Sequence, residues 1–283
     1  MKKAFVICGT FLSLFLFSQN QKFSYEYTFV TDSTQMNHPK KELTILEVTP
    51  EGSLFYSREV YESDSIMKVN LERQLKATGS INIVSGMKKG TFRDIISKNY
   101  QENQIYQQTN VGGEALKVLD QRPMEWTVLS DKNKIGEWEV QKAETEFAGR
   151  KWTAWFDPEI PIQDGPYKFR GLPGLIVKIE DATHSHIFEL KGISSLENPY
   201  EENSAFQPKY TEVSYPQYEK LYKAYRQDPV KRLRSMVSEG SIKSIRDAQG
   251  NPINPSKMLR DREKSAKENL KKENNLLELN LLK

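Results

Sequence analysis

The chain has 283 residues, with 41 Lys and Arg against 38 Asp and Glu, three His and a single Cys. So even a balance of charge points to no class of partner, and one Cys excludes a disulfide framework, a paired redox motif and a Cys-based metal site. The charge is unevenly placed, however: residues 19–219 carry a net −7 and residues 220–283 a net +8. The first expectation is therefore a basic tail packed on an acidic body, with an acidic partner or a membrane surface as the competing use.

At the N-terminus, Lys2 and Lys3 precede an apolar run over 4–17, and polar Ser18-Gln19-Asn20 follows. This is the pattern of an export signal covering 1–18, with the mature chain starting near Gln19. The run is shorter than the roughly 20 residues a spanning helix needs. Cys8 lies inside it and leaves with it, so the mature chain carries no thiol. No later stretch is apolar enough to span, and a secreted or periplasmic protein without a transmembrane span is expected.

Residues 19–283 are read as one domain, sheet-rich over 19–192 and helical and charged over 211–283. Phe23, Tyr25, Tyr27 and Phe29 alternate with polar or small residues, giving a strand with one aromatic face. Segments 43–48 and 54–60 flank Pro50-Glu51-Gly52, a hairpin signal. A short helix is predicted over 62–77. Strands follow at 81–84, 92–99, 103–109 and 115–119, punctuated by glycines. Two more, 136–147 and 151–156, surround Ala148-Gly149-Arg150, and the last pair is 175–181 and 186–191. The fold class implied is α+β and β-rich: a large curved antiparallel sheet with C-terminal helices packed against it.

Beyond a polar connection over 194–210, Ser214-Tyr215-Pro216-Gln217 has capping-box spacing, and Tyr218, Leu221, Tyr222 and Tyr225 lie on one helical face. Asp228-Pro229 and Asn254-Pro255 open two further helices, the second largely solvated. Apolar 276–282 is expected to return to the sheet as an edge strand, or else to bind a partner.

The run Gly171-Leu172-Pro173-Gly174-Leu175-Ile176 packs two glycines and a proline between apolar residues, which specifies a backbone shape more than a chemistry. Together with Ile135-Gly136, Gln141-Lys142-Ala143, Gly149-Arg150, Trp152, Ala154-Trp155, Ile160-Pro161-Ile162 and Gly165-Pro166, it resembles the GLPGLI family of secreted bacterial proteins over roughly 135–181. Asn274-Asn275 and the leucines after them resemble that family's ending, with leucine where a proline is expected. Val140 stands where the family commonly has a cysteine, which removes redox or metal chemistry at that place. The resemblance implies a secreted or periplasmic β-rich protein and no established catalytic residue.

Motifs for conventional catalysis are missing: no Gly-x-Ser-x-Gly, no His-Glu-x-x-His and no phosphate-binding glycine loop. His184 and His186 would share a strand face and approach a metal with Asp181 or Glu189, but an exposed turn decoration is the plainer reading, so no metal and no cofactor are expected. Asp157, Glu159 and Asp164 beside Trp152 and Trp155 have the composition of a carbohydrate site. A glycosidase would need two carboxyls roughly 5–9.5 Å apart across a cleft. Arg150, Lys168 and Arg170, around the same loop as Tyr167 and Phe169, would either grip a carboxylate or phosphate or pair with Asp157, Glu159, Asp164 and Asp181, and the structural pairing is the expectation.

The leading expectation is a non-enzymatic envelope protein that binds a small apolar or peptide ligand, or another envelope protein, and no nucleic acid. The ligand or partner candidates are Trp152, Trp155, Asp157, Asp164, Tyr167 and Arg170, with 171–176 as a structural turn. A hydrolase of an extracellular polymer and a purely structural protein are the alternatives.

Overall fold

The computed structural model describes residues 20–79, 90–201, 208–240 and 254–283. The expected export signal and the expected strand at 81–84 lie outside the described residues. Alternation on β1 (Gln21–Phe29) works as the sequence predicts: Phe23, Tyr25, Tyr27 and Phe29 are at most 3% exposed, while the residues between them are half-buried. The chain continues through β2 (Lys40–Val48), β3 (Gly52–Ser57), β4 (Ile95–Asn99), β5 (Gln104–Val111) and β6 (Glu114–Asp120). Then come β7 (Thr127–Ile135), β8 (Trp138–Phe147), β9 (Arg150–Asp157), β10 (Leu175–Asp181), β11 (His186–Ser195) and β12 (Thr211–Ser214).

These strands make one sheet in the order β12-β6-β5-β4-β3-β2-β1-β11-β10-β9-β8-β7. All neighbours are antiparallel except β12 and β6, which are parallel. Two meanders therefore meet where β1 pairs β11. The connection from β6 to β7 forces the curvature. Ten inter-strand steps separate them, so a flat sheet would hold them about 48 Å apart. Residues 121–126 bridge at most about 25 Å, and the sheet must curl to let them.

Several expectations are corrected. The segment 54–60 does not stay extended: Ser57 caps a helix by accepting from Val60 N at 3.2 Å, and α1 runs Arg58–Thr78, ending at Gly79 in the left-handed region. Strand β7 lacks an alternating pattern and was not expected; as a mostly exposed edge strand it needs none. On α2 (Tyr215–Gln227), Gln217 closes back on Ser214 N at 2.8 Å as predicted, but the buried residues are Tyr215 and Tyr218, with Leu221 facing out. α3 (Lys231–Ser238) and α4 (Pro255–Lys272) follow, the latter capped by Asn254.

Residues 276–282 return to the body, though not as a strand. Leu279–Leu282 is a 3₁₀ turn, and Leu281 packs with Val111, Leu116, Val118, Tyr215 and Tyr218. The charge expectation is also reversed at its most buried point. There the tail supplies the acid, Glu278, and the body supplies the cations, Arg122 and Lys168. Among the described residues no helix is long and apolar enough to cross a membrane.

Candidate functional site: a groove beside the 158–174 segment

Between β9 and β10 the chain makes an excursion, 158–174, that fills the hollow of the curled sheet. Phe169 is its centre, with ring centroids 4.7 Å from Trp152, 6.0 Å from Phe147 and 6.1 Å from Tyr167. Tyr25 on β1 donates its hydroxyl to Ile176 O at 2.7 Å, tying the start of β10 to the sheet. Gly171 adopts φ +93°, a region closed to most side chains. Gly174 is required for another reason: a Cβ there would sit 2.2 Å from Asp157 O. Tyr167 holds φ +54° without being glycine. Such a conformation costs roughly 1–3 kcal/mol, offset here by its burial and its hydrogen bond to Glu278 at 2.6 Å.

Charges in this interior are saturated. Lys98 on β4 donates to Asp164, to Gly165 O at 2.7 Å and to Phe169 O at 3.1 Å, using all three ammonium protons. Burial lowers its pKa, and Asp164 opposes that shift. Tyr100 donates to the other Asp164 oxygen. Lys168 bonds Asp120 at 2.8 Å and Glu278 at 2.6 Å, and Arg122 bonds both acids too. Burial alone would raise Asp120, but the hydrogen bonds from Arg122 and the Lys168 charge outweigh it and hold the carboxyl at about 2.

A third centre joins Arg150 to Asp181 at 2.9 Å, to Asn275 at 2.6 Å and to Leu276 O. Beside it His186 is buried, its Nδ1 2.7 Å from Tyr27 Oη and its Nε2 3.1 Å from Asn275 O. His184 sits on the preceding turn at φ +53° with its side chain mostly exposed, next to Glu180 at 3.2 Å. The common strand face expected for the two histidines is thus broken, because β11 starts only at His186.

Open concavities lie elsewhere, and a shallow one of about 370 Å³ is lined by Asp32, Thr34, Glu268, Lys271, Lys272 and Asn274. A groove of about 680 Å³ lies along the edge of the excursion, lined by Val48, Pro50, Tyr100, Pro161, Ile162, Arg170 and Gly171, with Gln21, Thr49, Asn103 and Gln163 adding polar atoms. Arg170 donates to Asn103 O at 2.9 Å. Among the described residues it has no carboxylate within ion-pair distance, unlike Arg150 and Lys168.

Of the sequence candidates, Arg170 lines this groove. Asp164 lies behind Tyr100, engaged with Lys98. Trp152 and Tyr167 are core residues, and Trp155 packs half-buried against the core from β9. Asp157 accepts from Glu159 N at 2.9 Å, and burial raises its pKa. Sequence reasoning missed Lys98, Tyr100, Asp120 and Glu278. Lys98 had a signal: it follows buried Ile96 by two residues, which on a strand puts a lysine on the inward face.

Residues 91–178 match a family described as a protein of unknown function, Porph_ging. It is related to the GLPGLI family expected from the motif but bears a different name. No curated protein matches the chain. Two solved structures of PNGF-II, in space groups P21 and C2, are similar at 16% and 17% identity, with TM-scores of 0.47 and 0.46. Each match covers 72% of this chain and 33% or 32% of the other, so the chain spans about a third of the PNGF-II length.

Proposed function

We propose that this chain is an exported, non-enzymatic binding protein whose groove takes an apolar or peptide ligand by an anionic end. One observation carries the reading: Arg170 is the guanidinium of the groove and has no carboxylate partner among the described residues, while apolar Val48, Pro50, Pro161 and Ile162 line the space around it. A bound carboxylate would complete the arginine's fork, and charge-assisted hydrogen bonds of that kind contribute about 1.5–3 kcal/mol. Saturation of Asp164, Asp120 and Glu278 by Lys98, Lys168 and Arg122 disfavours a hydrolase built on them, since a catalytic carboxyl must be free to exchange a proton with substrate.

The test is calorimetric titration of residues 19–283 with decanoate and with a hydrophobic tripeptide bearing a free C-terminus. Decanol and the amidated tripeptide serve as neutral controls. The charged probes should bind at least about tenfold tighter, and Arg170→Ala should abolish that preference while leaving the melting temperature unchanged. Equal binding of charged and neutral probes, or none by any of them, overturns the proposal.

A further inference from the structure

Helix α1 touches the sheet along one side only, and Ser63 and Leu71 are its buried residues. On the opposite side Glu62, Ile66, Val69, Arg73 and Lys76 are all exposed. Their spacing of four, three, four and three puts them on one stripe at 100° per residue. At the centre of that stripe Ile66 is 61% and Val69 52% exposed. The halves of the helix differ in sign. Residues 58–67 hold Arg58, Glu59, Glu62 and Asp64, and residues 68–78 hold Lys68, Glu72, Arg73 and Lys76, giving net −2 and +2. Acids early and bases late also suit the helix's own dipole. The dipole gives no reason for two large apolar side chains in the middle of the exposed stripe.

We infer that this face of α1 is an interface with a second copy of the chain, formed by antiparallel packing of the two helices about a twofold axis between Met67 and Lys68. Such an axis pairs residues whose numbers add to 135. Ile66 of one protomer then meets Val69 of the other, Glu62 meets Arg73, and each contact occurs twice, as an isologous interface requires. A parallel arrangement would set like charges against each other. Glu62 already holds Arg58 at 2.6 Å through one oxygen, and its second oxygen is available for Arg73 of the partner. The apolar patch is small, so the dimer is weak, below the roughly 1,200 Å² of buried surface typical of stable complexes.

Sedimentation equilibrium of residues 19–283 between about 10 and about 500 µM covers the affinity such a patch supports. The expected result is a concentration-dependent shift towards dimer that weakens with salt. Because the axis doubles every change, Arg73→Glu should raise the dissociation constant by about tenfold or more. The double variant Glu62→Arg/Arg73→Glu should restore it to within about threefold. Val69→Asp should abolish the dimer and provides the same readout if Arg73→Glu alters the fold. A monomer throughout the range, a dimer indifferent to Arg73→Glu and Val69→Asp, or a charge swap that fails to restore association overturns the inference.

Discussion

His186 should make this protein acid-labile in a window where few other groups titrate. Asn275 O can only accept, so Nε2 carries the ring proton and Nδ1 accepts from Tyr27 Oη, leaving a neutral imidazole. Burial, reinforced by the Arg150 charge, pushes its pKa down to about 3. An unfolded histidine titrates near 6.5. Between those values the unfolded chain binds the proton and the folded chain does not, so stability is complete above pH 6.5 and falls as the pH drops. At pH 5 the loss from this group alone is about 2 kcal/mol. Asp181 and Glu278, with lowered pKa, lose stability at still lower pH. Asp94 and Glu273, raised by burial, act in the opposite sense. A variant isolates the histidine. His186→Gln keeps a donor for Asn275 O but cannot titrate. Urea denaturation of both proteins at pH 7.5 and pH 5.0 should show the stability gap shrinking by about 2 kcal/mol at the lower pH. A gap that is the same at both values would refute the buried neutral ring.

Removing Glu278 leaves Lys168 and Arg122 sharing one acid in the interior, so Glu278→Ala should destabilise by about 3–5 kcal/mol in urea denaturation. A loss below about 1 kcal/mol would mean that the site is solvated. Lys98→Met strands Asp164, and the double variant Lys98→Met/Asp164→Asn should be the more stable of the two, measured by melting temperature. Gly174→Val should prevent folding or lower the melting temperature sharply, because its Cβ meets backbone at Asp157 O. Gly171→Ala, with open space around it, should cost only the backbone strain at φ +93°, about 1–3 kcal/mol.

The sequence made legible whatever depends on local pattern. Aromatic alternation on β1, the hairpin at Pro50-Glu51-Gly52, the Ser214 and Asn254 caps and the turn at 171–174 each follow from residue types a few positions apart. Long-range partners were hidden. Strand β12 is four residues long and exists because β6 offers it a parallel edge. The hairpin strand turns into α1 at Ser57, where a cap competes with a β-rich run and wins. For the groove, two residues that the sequence singles out, Arg170 and Gly171, are among its lining. Asp181 was among the acids expected to pair with this basic group and does hold Arg150, but the sequence could not separate Arg170 from Lys168, whose partners Asp120 and Glu278 lie 48 and 110 positions away.

That separation follows from the way the sheet curls. The short crossing from β6 to β7 draws the two ends of the sheet together, and Asp120 and Arg122 stand at its start. Lys168 from the excursion and Glu278 from the C-terminus meet them there. Two cations and two anions make a balanced set, which is the condition under which buried charge is tolerable. The set also ties the excursion to the C-terminus, since Lys168 bonds both Asp120 and Glu278. Arg170, two residues further on, lies outside that set. The same rigid placement that consumes Lys168 holds the Arg170 guanidinium beside the groove, which is the arrangement a preorganised anion site needs.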